Sequence, residues 1–134
     1  MSALKKTTLN WIASSAYDIK TARHLLETGR YIYVIFMCHL AIEKLLKAVV
    51  AQIEEKHPPY THDLQRLIQL ADLDIPPEYK PFIAELNQLS IVTRYPEDLQ
   101  GMIRQFPKST AQEFLKQSAG FLRWLKRNPK LKKS

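Results

Sequence analysis

Apolar residues recur along this chain at intervals of three and four, in segments broken by glycine and proline, and that is the period of helices. The first segment runs from about Thr8 to Glu27, with Trp11 or Ile12, Ala16, Ile19, Arg23 and Leu26 in register. Thr7 or Thr8 can cap its start, and Gly29 suits the C′ position past its end. A second, far more apolar segment runs from about Arg30 to Glu55 and stops at Lys56-His57-Pro58-Pro59. The short turn between these two makes them antiparallel neighbours.

Thr61-His62-Asp63 opens a shorter helix through Leu64, Leu67, Ile68 and Leu70, with Thr61 as its natural N-cap. A further helix begins near Pro77 and carries Phe82, Ile83, Leu86, Leu89 and Ile91. It should stop near Thr93, because the residue before Pro96 is pushed out of helical geometry. Residues 96–108, rich in proline and polar side chains, read as a loop. Thr110 and Glu113 form a capping box that opens the last helix, which runs to about Lys126. No segment alternates as a strand does. The expected fold is all-α: an antiparallel four-helix up-and-down bundle plus one short helix. It should form one domain over residues 1–127, followed by a flexible basic tail over residues 128–134.

The second helix carries a polar line through its apolar surface. His39, Glu43 and Lys47 are spaced four apart, so they stack on one face. Glu43 before Lys47 is the favourable order for an ion pair, and such pairs are common on solvated helix strips. On a helix this apolar, however, the line lies close to other protein, where charge must be paired or used. Spacing alone favours the structural reading.

Composition narrows the picture. With 134 residues the chain can bury a real core. Its longest apolar run, Tyr31 to Cys38, is far too short for a membrane helix. The N-terminal residues lack a signal-peptide core. The lone Cys38 has no disulfide partner, which points to a cytoplasmic protein with a small buried thiol. The net charge of +7 is uneven: every acidic residue lies at or before Glu113, so the excess belongs to Lys116 and the six cations after it. That end can attract RNA, DNA or an acidic partner. No glycine-rich phosphate loop or metal-type Cys/His spacing occurs. A metal site of His39, Glu43 and His62 can be drawn, but nothing further supports it, and no cofactor is expected.

Two other sites carry chemistry. Arg94 and Tyr95 end a helix just before Pro96; the guanidinium can hold a phosphate bidentately while the ring offers a face to a base. Arg94 can equally satisfy helix carbonyls or pair with Glu43. His62, in the first turn after the Thr61 cap, is near anion-favouring amides or simply packs against Tyr60. Finally, Tyr31, Tyr33, Ile35, Phe36 and Leu40, with Leu86, Leu89 and Ile91, exceed what one small bundle covers, which predicts a homodimer.

The order of these segments resembles the HEPN domain family. The matching pieces are Ala16-Tyr17-Asp18-Ile19 with Ala22, Gly29-Arg30-Tyr31, Ala41 through Ala48, Thr61-His62-Asp63-Leu64, and Thr93-Arg94-Tyr95-Pro96. They span about Leu9 to Leu125. The resemblance implies a helical homodimer that binds nucleotide or nucleic acid and acts with a small nucleotidyltransferase, in some cases as toxin and antitoxin. A second branch of the family consists of metal-independent ribonucleases with an Arg followed, after four to six residues, by His. Here Arg94 is followed at that distance by Leu99, Gln100 and Gly101. Ribonuclease activity would need an atypical His/Arg site, and the expected module is non-catalytic. Its ligand site would draw on Arg94, Tyr95, Lys47, Glu43, Lys44, His39 and His62.

Overall fold

One helix organises the molecule. The computed structural model describes residues 3–132, and among these all regular structure is helical. Helix α1 spans Lys6–Glu27 and α2 spans Tyr31–Ile53. α2 has neither glycine nor proline, and fifteen of its 23 residues are buried. A helix buried on most sides must be wrapped by the others, and α1, α3 (Leu64–Leu70), α4 (Lys80–Arg94) and α6 (Lys108–Lys126) all pack on it. Ile35, Ile42, Leu45 and Leu46 are wholly inaccessible, and each such side chain contributes roughly 1.5–3 kcal/mol. A 3-10 turn at Pro77–Tyr79 leads into α4, short α5 covers Leu99–Gln105, and another 3-10 turn covers Pro129–Leu131.

Thr28 and Gly29 turn α1 into α2. Gly29 has φ +82°, a left-handed backbone that suits glycine at the C′ position. The buried side of α1 is Thr8, Ser15, Asp18, Ile19 and Ala22, so Ala16 and Arg23 face outward rather than inward. Two polar members of this face explain the shift: Ser15 Oγ donates to Ala41 O at 2.7 Å, and Asp18 pairs with Lys44.

Three expected caps differ. α1 starts at Lys6 without a side-chain cap, and Thr8 instead donates to Gln52 Oε1 at 2.8 Å. Asp63, not Thr61, caps α3: its carboxylate accepts from the amides of Gln65 and Arg66, while Thr61 Oγ1 accepts from Asp63 N. A carboxylate at a helix start gains from the dipole as well as the hydrogen bonds. α6 opens after Pro107, two residues before Thr110, so no capping box forms. The stretch expected as a loop contains α5, capped by Asp98 Oδ1 accepting from Gly101 N at 3.1 Å.

The chain after α6 turns back onto the bundle. Leu131 is buried, and Lys130 Nζ donates to the carbonyls of Ala71 and Asp72 at 2.9 and 2.7 Å. Those carbonyls end α3, so a cation from the C-terminal turn satisfies them. Lys133 and Ser134 of the expected tail lie outside the described residues.

Candidate functional site

The polar line of α2 is assembled and sealed. His39, Glu43 and Lys47 are all buried. Glu43 is the hub: Lys47 Nζ donates to Oε2 at 3.0 Å, and His62 Nδ1 donates to Oε1 at 2.9 Å. Each carboxylate oxygen thus has its own cationic or polar donor, which is what a buried charge requires. Lys47 also lies 5.6 Å from the Trp11 ring centroid, so α1 closes that end.

His39 sits between two worlds. Its Nε2 is 3.5 Å from Asn87 Oδ1, and its Nδ1 is 3.8 Å from Glu43 Oε1, too far for a hydrogen bond. Nδ1 therefore has no hydrogen-bond partner. Because the Asn87 amide donates through Nδ2 to Asp63 Oδ1 at 3.0 Å, its oxygen faces the ring and assigns His39 the Nε2–H tautomer. Burial is the main force holding the imidazole neutral; Glu43 and Asn87 oppose it, and the charges of Arg94 and His62 reinforce it.

Arg94 and Tyr95 stand at the other end. The Arg94 guanidinium carbon lies 5.0 Å over the Phe36 ring centroid. Its Nε is buried without a hydrogen-bond partner. Among the described residues no carboxylate is within ion-pairing distance of it, so of its two candidate partners Glu43 pairs with Lys47 and not with Arg94. Tyr95 is 74 % exposed and belongs to a groove of about 590 Å³ with Ile91, Val92, Glu97, Asp98 and Met102. Lys44 turns away altogether and meets Asp18 Oδ2 at 2.8 Å. Of the seven residues expected together, four form the Glu43 cluster, Arg94 adjoins it, and Lys44 and Tyr95 face elsewhere.

Sequence reasoning missed Asn87, which ties three elements together. Besides His39 and Asp63, its Oδ1 accepts from Leu64 N at 3.0 Å. The signal was present: Asn87, Ser90 and Arg94 are spaced by three and four, a second polar line answering the one on α2. Cys38 is the small buried thiol expected, and burial pushes its pKa up to about 12. Among the described residues no group of three or more potential ligands is arranged to hold a metal ion, and no helix is long and apolar enough to cross a membrane.

Comparison with known proteins fits this architecture. The fold is similar to the crystal structure of TT1696 from Thermus thermophilus, with a TM-score of 0.75 and 22% identity, over 91% of this chain and 98% of that one. It is also similar to ST0689, an archaeal HEPN homologue, with a TM-score of 0.69 and 22% identity, over 91% and 97% of the two chains. No curated protein sequence matches. The model of the HEPN domain matches residues 8–128, nearly the whole chain, and the chain therefore belongs to the HEPN domain family.

Proposed function

We propose that this chain is a non-catalytic nucleotide- or nucleic-acid-binding module that works as a homodimer alongside a small nucleotidyltransferase, in the manner of a toxin–antitoxin pair. One observation carries the binding part. Arg94 is held by Phe36, has no carboxylate partner among the described residues, and stands beside a neutral His39. A fixed, unneutralised guanidinium at a surface suits a phosphate. The buried Glu43–Lys47 ion pair argues that Lys47 and Glu43 support this position rather than touch a ligand.

An apolar face supports the homodimer. Ile35 and Leu86 do not contribute to it, being wholly buried in the core. Tyr33, Ile91, Val92, Leu99 and Ile103 are exposed, around a helix α5 that buries none of its own residues. Apolar surface of this kind marks interfaces. Purified protein should bind a nucleotide or short RNA, and Arg94→Ala should weaken that binding at least about tenfold, with Arg94→Lys also impaired. Mass in solution should exceed the 15.6 kDa of one chain. A monomer that binds neither ligand would overturn the reading.

One arrangement favours a ribonuclease instead. Glu43 orients His62, whose side chain is 57 % exposed, as a carboxylate orients a catalytic base. Chelator-insensitive RNA cleavage lost in His62→Ala and in Arg94→Ala would establish that alternative. His39, wholly buried and neutral, does not qualify as the acid.

A further inference from the structure

We propose that the outer face of α6 is a second docking surface, for the sugar–phosphate backbone of a nucleic acid. This deepens the proposed function, on which it rests, by assigning a polymeric ligand and a surface remote in sequence from Arg94.

Lys108, Lys116, Arg123, Lys126 and the capping residue Arg127 are all exposed. At 3.6 residues per turn they fall within an arc of about 100°, and at 1.5 Å per residue they form a stripe about 28 Å long. The chain has no acidic residue after Glu113, and among the described residues no carboxylate is within ion-pairing distance of any of the five. The helix dipole explains cations in the last turn, but not Lys116, ten residues before the helix ends.

One edge of the stripe is shaped as well as charged. Gly120, between Lys116 and Arg123 in sequence, lies along that edge. A Cβ placed there would come 3.0 Å from the Tyr79 hydroxyl and 3.8 Å from Arg123 Nη2. The glycine thus lets a phenol hydroxyl reach the stripe beside a guanidinium, giving two kinds of phosphate donor in one place. Edge-on packing against Phe121, at 5.3 Å between centroids, fixes the Tyr79 ring.

The chemistry of the stripe selects among anionic partners. A protein interface has an apolar or aromatic centre, and a lipid-binding helix inserts an apolar face. The large exposed hydrophobic residues all lie elsewhere, none between Lys108 and Lys132. A phosphate backbone asks for spaced cations and hydrogen-bond donors without such a centre.

The test is fluorescence anisotropy of labelled RNA and duplex DNA with the full chain, over a salt series. Its key variant is the triple Arg123→Gln, Lys126→Gln, Arg127→Gln, whose positions are exposed. Wild-type binding should weaken linearly in log–log salt dependence. The triple variant should bind at least about tenfold more weakly, with the salt slope reduced by about 2–3. Its circular dichroism and melting should match wild type. The inference is overturned if wild type binds neither polymer, if the triple variant keeps the wild-type slope, or if phosphatidylserine vesicles or polyglutamate bind as tightly. The two readings fail separately. Mononucleotide binding without polymer binding sinks the α6 surface alone. Polymer binding lost in the triple variant but untouched by Arg94→Ala sinks the Arg94 site alone.

Discussion

The middle of α2 and the end of α4 use the same kinds of side chain to opposite effect. Glu43 and Lys47 are buried within one helix and neutralise each other, with His62 filling the remaining carboxylate oxygen. Arg94 is partly exposed, stacked on Phe36, and has no acid beside it among the described residues. Low-dielectric surroundings force a charge to find a partner, whereas a surface lets one wait for a ligand. The difference teaches that pairing, not residue type, separates support from recognition in this molecule.

The largest expected effect breaks the buried side of this contrast. Glu43→Gln keeps the volume and removes the counter-charge of Lys47, which should cost about 3–5 kcal/mol. Glu43→Leu combined with Lys47→Met should recover most of that loss, since well-packed apolar pairs often match buried ion pairs. Chemical denaturation of the three proteins measures both. A Glu43→Gln loss near zero would mean that the pair is effectively solvated, and the contrast would collapse.

A pH series sharpens the boundary between the regions. His39 is held neutral by burial, so its folded pKa lies below the unfolded value of 6.5. A histidine with a depressed folded pKa contributes stability above the unfolded pKa. That contribution is lost as pH falls from about 6.5 towards the folded value, because the unfolded chain takes up the proton first. The slope can reach about 1.4 kcal/mol per pH unit. Unfolding midpoints at several pH values below neutrality should fall in wild type and flatten in His39→Gln. An unchanged slope in the variant would assign the loss to other groups.

How much of this was legible in the sequence depended on whether the signal was local. The period of apolar residues placed α1, α2 and α4 to within about three residues, because each buries a continuous stripe. α5 was missed because its Leu99, Met102 and Ile103 bury nothing fully and its flanks are proline-rich. The Thr110–Glu113 pattern misled because α6 already begins at Lys108, directly after Pro107, which leaves Thr110 inside the first turn. Within the site, the four-residue spacing of Glu43 and Lys47 predicted their bond directly. The partners of Lys44 and Asn87 did not follow from spacing, since Asp18, Asp63 and Leu64 come from other elements. Those pairings depend on how the helices are set against one another, and a single sequence does not state that.

The smallest stability effect belongs to the open side. Arg94→Ala removes a guanidinium from Phe36 but leaves no carboxylate unpaired among the described residues. The loss should be the cation–π and packing contribution alone, about 0.5–1 kcal/mol. It should also slightly favour the charged form of His39, since Arg94 is one of the groups that oppose it. The fall in stability on acidification should then start at the same pH and level off earlier. Denaturation of Arg94→Ala at neutral and mildly acidic pH reads both quantities. A loss as large as that of Glu43→Gln would show Arg94 to be part of the buried framework, and the division between a paired interior and a waiting surface would have to be redrawn around α4.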